Sequence, residues 1–194
     1  MNKPLIQIAF MTGRSIRDNR QLSVEQRDCL SQLNRPGRKL IMSNFSYEQE
    51  SLESSALREV GLLSASLNNS RDYITSRWPS FRKRYQAPFI DFLDLAHHTI
   101  IISGSCGLEL FNNLHLPERL MNTTSIIAYG AVARKRPRCH HLLVQGDRDW
   151  ISRIWFRRGD YQISCGHMDY LTNTRWLEIL EQFIKRIEFT LVMK

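Results

Sequence analysis

The amino-acid sequence predicts an α/β protein with a mostly parallel sheet of about six strands and helices on both faces. Short runs of Ile, Leu and Val, such as TIIIS at 99–103, alternate along the chain with segments of helical periodicity. Parallel strands are buried on both faces and need long crossover connections, usually helices. The last long segment, NTRWLEILEQFIKRIEF at 173–189, repeats apolar residues at helical spacing, as expected of a helix packed on a sheet.

The start of the chain is predicted to be a strand, a helix and a second strand. PLIQIAFM (4–11) is a short apolar run closed by a turn. SVEQRDCLSQL (23–33) is helical in pattern and opens with Ser23 and Gln26 at capping-box spacing. RKLIMSNF (38–45) follows the chain-breaking RPG and is the second strand.

Four further strands are predicted in the second half of the chain. They are HHTIIIS (97–103), TSIIAYGAVA (124–133), HHLLVQG (140–146) and YQIS (161–164). A helix, GLELFNNL, separates the first two of them. In open parallel sheets the working residues lie at the carboxyl ends of strands. The candidate catalytic and binding residues are therefore those that follow these strands.

Length and composition indicate one globular domain. The 194 residues fit a single domain, 1–194, in which 47–95 is a helical insertion that could act as a lid. No apolar run approaches the roughly 18 residues of a membrane span, and we expect a cytoplasmic protein. The four cysteines are scattered without a CxxC pair, so we expect free thiols, no metal site and no cofactor.

The chain is basic, with a formal net charge of +8. Its cations cluster in FRKRYQ (81–86), RKRPR (134–138) and RIWFRR (153–158). Such clusters fit an acidic carrier protein, an anionic substrate or nucleic acid, and a merely solvated surface explains them about equally well. Nucleic acid is the least favoured partner, because no nucleic-acid-binding motif accompanies the clusters.

Ser105 is the candidate nucleophile. It follows the third strand in Ser103-Gly104-Ser105-Cys106-Gly107, with small residues two positions away on each side. A sharp strand-to-helix turn that exposes a nucleophile needs small neighbours, because the strained backbone brings them close to the strand and the helix. Phosphate binding or simple chain reversal would suit the same pattern.

An acid and a base follow two later strands. Asp149, with Asp147 as the fallback, comes after the fifth strand in GDRDW, and His167 comes after the sixth in SCGHMDYLTN. A carboxylate there could orient an imidazole and stabilise its cation. Taken singly, an Asp after a strand is usually a cap, and a lone loop His is usually structural.

The order Ser, Asp, His, each just past a successive strand, resembles that of the α/β-hydrolase family. The resemblance is carried by ISGSCGLELF, LLVQGDRDW and CGHMDYLTN and extends more loosely over nearly the whole chain. It implies a three-layer α/β-hydrolase-like fold with Ser105 as nucleophile, Asp149 as acid and His167 as general base.

The same resemblance implies an oxyanion hole. The backbone N–H of Cys106, the residue after the nucleophile, matches the first donor of the family. The second donor comes from the loop after an early strand, which here offers Thr12 and Gly13 but lacks the familiar His-Gly pair.

The resemblance implies a serine hydrolase for a carboxylic ester or a thioester, acting through an acyl-enzyme. The basic surface favours an acyl group on an acidic carrier or a coenzyme over a neutral lipid. The alternative is a binding or accessory protein that keeps the fold without turnover.

Overall fold

Six parallel strands form the sheet. The computed structural model describes residues 3–13, 21–45 and 73–193. The strands are β1 (Ile6–Thr12), β2 (Arg38–Asn44), β3 (His98–Gly104), β4 (Thr124–Tyr129), β5 (His140–Gly146) and β6 (Tyr161–Ile163). Their order is β2-β1-β3-β4-β5-β6, and every pair of neighbours is parallel. The predicted α/β class and parallel sheet of about six strands are confirmed.

Helices lie between most successive strands of the described residues, whereas residues 130–139 join β4 to β5 without a helix. The helices are α1 (Val24–Gln32), α2 (Pro79–Leu93), α3 (Gly107–Asn113), α4 (Glu118–Met121), α5 (Trp150–Trp155) and α6 (Thr174–Val192), with a 3-10 turn at Tyr170–Thr172. The short helices α4 and α5 have too few residues to repeat an apolar pattern, so the sequence did not reveal them.

The predicted capping box starts α1. The Ser23 hydroxyl accepts a hydrogen bond from the Gln26 N–H at 3.2 Å, and the Gln26 side chain accepts one from the Ser23 N–H at 2.9 Å. Two of the N–H groups that a helix leaves without partners at its start are thereby satisfied, as the spacing predicted.

The two faces of the sheet bury separate sets of helices. Alternate residues of a strand point to opposite faces. Ile100 and Ile102 of β3 therefore pack in one core cluster with α1 and α6, while Ile101 packs in a second cluster with α2 and α3. The described elements form three layers, helix, sheet and helix, with a buried apolar core on each side of the sheet.

The strand order reverses between β1 and β3. The chain runs from β1 outward to β2 and then returns to the other side of β1 as β3. At such a reversal the connections leave on opposite faces, and a crevice opens at the carboxyl ends of the two strands. The residues that follow β1 and β3 therefore face the position where open parallel sheets bind their ligands.

One predicted strand ends earlier in the structure. β4 ends at Tyr129 instead of Ala133, because Gly130 has a φ of +53°, which a strand cannot continue through. In the described part of the predicted insertion, α2 packs against the core and buries the side chains of Tyr85, Phe89 and Phe92. Residues 47–72 of that insertion lie outside the described residues.

The lengths and compositions of the helices bear on whether one of them could cross a bilayer. Across 3–13, 21–45 and 73–193, none of them combines the length and the apolar character that crossing a membrane requires.

Replacing Phe89 by Ala should test the core under α2. The Phe89 side chain is 2% exposed, and its ring meets Phe45 at 5.9 Å and Phe111 at 6.2 Å between centroids. We expect Phe89→Ala to lower the free energy of unfolding by about 3–5 kcal/mol, measured by urea unfolding. Phe189→Ala is the matched control, because Phe189 is 69% exposed on α6 and should change stability by less than about 0.5 kcal/mol.

Candidate functional site

Ser105 occupies the corner between β3 and α3 in a conformation that few residues adopt. Its φ is +50°, and it is half-buried. A residue other than glycine in this region costs about 1 kcal/mol or more unless its surroundings hold it there. Here the Ser105 N–H donates to the Tyr129 carbonyl at 3.3 Å, and the Ser105 carbonyl accepts from the Val132 N–H at 2.9 Å. The end of β4 thus holds the corner in place.

The small residues on both sides of Ser105 have a steric cause. A Cβ atom at Gly107 would overlap the backbone carbonyl of Met11 in β1, and one at Gly104 would overlap the Tyr129 ring. The start of α3 therefore lies directly against the end of β1. The sequence argument concerned the residues two positions from Ser105, and it finds its physical reason at Gly107.

Asp149 is fully buried and accepts three hydrogen bonds. Its Oδ1 accepts from His167 Nδ1 at 2.9 Å and from the Ser152 N–H at 3.1 Å, and its Oδ2 accepts from the Tyr170 hydroxyl at 2.8 Å. The bond from Ser152 makes Asp149 the N-cap of α5. The residue is thus both a helix cap and the partner of His167, two roles that the sequence presented as alternatives.

The environment keeps the Asp149 carboxyl ionised. Burial acts to raise its pKa, because desolvation disfavours the charged form. The hydrogen bonds from His167, from the Ser152 N–H and from Tyr170 outweigh burial and lower the pKa to about 2. A buried negative charge therefore stands beside the imidazole throughout the neutral pH range.

The contact with Asp149 fixes the tautomer of His167. A carboxylate only accepts hydrogen bonds, so Nδ1 of His167 carries the hydrogen. In the neutral ring Nε2 is then the basic nitrogen. The side chain of His167 is 19% exposed, against 0% for Asp149, so the imidazole lies between the buried carboxylate and the surface.

Gly130 lies close to Asp149 and His167 and follows the residue that contacts Ser105. It follows Tyr129, whose carbonyl accepts the Ser105 N–H. A Cβ atom at Gly130 would lie 3.1 Å from Asp149 Oδ2 and 3.3 Å from His167 Cε1. Ser105, Asp149 and His167 thus follow strands at the same edge of the sheet. Among the described residues a hydrogen bond joins His167 to Asp149, and none joins Ser105 to His167.

Asp147, the fallback acid, has different partners. Its Oδ1 accepts from the Cys165 N–H at 3.1 Å, and its Oδ2 accepts from the Ser164 hydroxyl at 3.0 Å. Its side chain is half exposed. Asp147 holds the loop after β6 to the loop after β5, and the carboxylate in contact with His167 is that of Asp149.

The predicted oxyanion donors lie at the carboxyl ends of β1 and β3. Cys106 is buried at the N-cap of α3, and Thr12 pairs with Gly104 across the two strands. However, the Thr12 N–H donates to Asn44 Oδ1 at 3.0 Å, and Asn44 Nδ2 donates to the Thr12 carbonyl at 3.3 Å. Because this clamp engages the Thr12 N–H, Gly13 is the better candidate of the two for the second donor.

Sequence reasoning missed two residues of this region. Tyr170 donates to Asp149 and accepts from the Gly146 N–H at 2.6 Å, and Asn44 holds the end of β1. The tyrosine could have been noticed, because it follows His167 by three residues in the quoted CGHMDYLTN. No local pattern marks Asn44, because its partner is 32 residues away.

Two exposed apolar side chains adjoin the site. Trp150 follows Asp149 and is 69% exposed, and Met168 follows His167 and is 75% exposed. In the parts of the chain that the structure describes, no cluster of three or more His, Cys, Asp or Glu side chains could hold a metal ion.

A scan against protein-family models gives no match for this chain, and a search of curated proteins gives none either.

Replacing Asp149 by Asn should change how stability depends on pH. The Asp149 carboxyl has a lower pKa in the folded protein, about 2, than its ordinary value of 3.8. Such a group adds stability above its unfolded pKa and loses that contribution as the pH falls toward the folded pKa. Between about pH 5 and pH 3, the free energy of unfolding of the unmodified protein should fall by about 1 kcal/mol more than that of Asp149→Asn.

The measurement is urea unfolding followed by tryptophan fluorescence at the two pH values. The change in the free energy of unfolding between the two pH values is taken within each protein. The contributions of the other carboxyl groups, which both proteins share, then cancel in the difference between the two proteins. Equal losses of stability in the two proteins would contradict the ionised, hydrogen-bonded state of Asp149.

Proposed function

We propose that this protein is a serine hydrolase of the α/β-hydrolase family that cleaves a carboxylic ester or a thioester. Ser105 is the nucleophile, His167 the general base and Asp149 the acid that orients His167. The observation that carries the proposal is the 2.9 Å hydrogen bond from His167 Nδ1 to the buried Asp149 carboxylate. It supports the proposal because a base must be held in one tautomer to take a proton from a serine.

The first half of the reaction forms an acyl-enzyme. The Ser105 oxygen attacks the carbonyl carbon of the substrate while its proton passes to His167 Nε2. The tetrahedral intermediate then collapses, the bond to the alkoxide or thiolate breaks, and His167 returns the proton to that leaving group. The acyl group remains on Ser105 as an ester, and His167 is again neutral.

The second half releases the acid. His167 takes a proton from water, and the resulting hydroxide attacks the acyl-enzyme carbonyl. Collapse of the second intermediate breaks the bond to the Ser105 oxygen, which regains its proton from His167. In both halves the Asp149 negative charge stabilises the imidazolium, and the buried carboxylate stays ionised, as its pKa of about 2 requires.

Two backbone N–H groups would bind the oxyanion. In this proposal they belong to Cys106, at the start of α3, and to Gly13, after β1. Their separation is fixed by the contact of Gly107 with the Met11 carbonyl, which joins the two segments. Donors held in place before the reaction stabilise the developing charge more than mobile ones do, because they need no reorganisation.

The strand order also supports the proposal. Ser105 and Gly13 follow β3 and β1, the two strands at which the order reverses. That is where open parallel sheets bind ligands. The order itself is shared by proteins of other functions, so the support comes from the residues placed there.

We assign an apolar acyl chain to the exposed surface of Trp150 and Met168, the neighbours of Asp149 and His167. We propose that the leaving group is an anionic carrier of the acyl group, such as an acidic carrier protein or a coenzyme. Exposed cations on α2 and after α5 favour this choice, namely Arg82, Lys83, Arg84, Arg157 and Arg158.

Variants at the three residues test the mechanism. We expect Ser105→Ala and His167→Ala each to lower kcat for p-nitrophenyl butyrate at least about a thousandfold, because the nucleophile and the base act as one unit. Asp149→Asn should lower kcat by a comparable factor, since it removes the charge that stabilises the imidazolium. Asp147→Asn is the comparison and should lower kcat far less, because Asp147 binds Ser164 and Cys165 and does not contact His167.

Labelling with a fluorophosphonate probe separates the enzyme from its alternative. The folded protein should be labelled on Ser105, and the Ser105→Ala variant should not. Absence of labelling in folded protein would favour the accessory protein without turnover. Activity that survives Ser105→Ala would overturn the mechanism.

Asn44 offers a test of the oxyanion loop. Asn44→Ala removes the clamp on Thr12 and frees the segment that carries Gly13, so kcat should fall about tenfold or more with little change in KM. Asn34→Ala is the control, because Asn34 is exposed and lies outside the clamp. A rise in KM at unchanged kcat would assign Asn44 to substrate binding instead.

A further inference from the structure

A cavity opens at the opposite end of the sheet from Ser105. It lies between α6 and the amino ends of β4 and β5 and has a volume of about 320 Å³. That size is within the roughly 300–1,000 Å³ typical of small-molecule sites. We call it the amino-end groove. Its lining includes His98, Ser125, His140, Phe183 and Arg186.

A hydrogen-bonded chain of three side chains forms the polar end of the groove. His98 Nε2 lies 2.9 Å from Ser125 Oγ, and Ser125 Oγ lies 3.3 Å from His140 Nδ1. His98 is 7% exposed and Ser125 is 1% exposed, whereas His140 is exposed. Two buried polar groups therefore hold the exposed imidazole in one orientation, as the supporting groups of a binding site do.

An apolar wall runs from this polar end along α6. Ile179, Phe183 and Ile187 recur on one stripe of the helix and are buried. The His140 ring stacks on the Phe183 ring, with a centroid distance of 5.1 Å and an angle of 7° between the planes. The imidazole is thus held from two sides, by Ser125 and by Phe183, at the head of an apolar channel.

The groove is lined by the guanidinium of Arg186 and by no carboxylate among the described residues. Its ionisable lining groups are His98, His140, His141, Tyr161 and Arg186, and none of the described residues that line it is Asp or Glu. On α6 the nearby carboxylate of Glu181 is engaged by Arg38 at 2.8 Å. Burial and the neighbouring His141 lower the pKa of His140, so Arg186 supplies the positive charge at this end of the groove. A guanidinium beside buried apolar side chains is complementary to an anion with an apolar tail.

We propose that the amino-end groove binds a small organic carboxylate, with the carboxylate at His140 and Arg186 and the apolar chain along Ile179, Phe183 and Ile187. The site is distinct from the edge that carries Ser105, because His98, Ser125 and His140 lie at the opposite ends of β3, β4 and β5. The proposal stands on these contacts and does not depend on the hydrolase assignment.

Octanoate is the probe, and isothermal titration of the full chain is the measurement. We expect saturable binding of octanoate, and much weaker binding of 1-octanol, which has the same tail without the charge. Arg186→Gln should weaken octanoate binding about tenfold, the loss expected for one charge-assisted hydrogen bond. Arg175→Gln is the matched control, since Arg175 lies on the same helix, is exposed and lines no part of the groove.

The Ser105→Ala protein and the fluorophosphonate-labelled protein distinguish this site from the proposed active site, where octanoate would also fit as a product. Binding should be unchanged in both, and the side-chain NMR signals of His140 should shift on addition of octanoate. No saturable binding, equal binding by Arg175→Gln and Arg186→Gln, or loss of binding on labelling would overturn the proposal. Loss of binding on labelling would place octanoate at Ser105, whereas the other two outcomes do not bear on hydrolysis by Ser105.

Discussion

The buried Asp149 carboxylate is the interaction on which the edge of the sheet around His167 depends. It accepts hydrogen bonds from the start of α5, from His167 and from Tyr170, and the Tyr170 hydroxyl accepts one from Gly146 at the end of β5. A buried charge without such donors would cost several kcal/mol, so the carboxylate and its partners form together or not at all. One ionised group thereby fixes the start of a helix, the orientation of an imidazole and the end of a strand.

The sequence predicted those features whose cause is local. Runs of Ile and Leu identified the strands because both faces of a parallel sheet are buried, and the capping box located the start of α1. The small residues around Ser105 were also informative, because the approach of α3 to β1 leaves no space for a side chain at Gly107. Asp149 and His167 were selected by their positions after strands, and the structure brings them into contact.

The remaining features could not be predicted because they depend on contacts between residues that are far apart in the sequence. Asn44 engages Thr12 only because β1 and β2 are neighbours, and Tyr170 reaches Asp149 only after the last loop folds back on β5. The groove beside α6 depends on the relation of His98, Ser125 and His140 across three strands. The predicted extension of β4 to Ala133 was wrong because apolar composition continues where the backbone turns at Gly130.

The close approach of Gly107 to the Met11 carbonyl has a mechanical consequence. Packed backbones without an intervening side chain have nothing compressible between them, so a displacement of one is passed to the other. The end of β1 and the start of α3 therefore move as one body. A displacement of the end of β1 is therefore passed to the corner that holds Ser105.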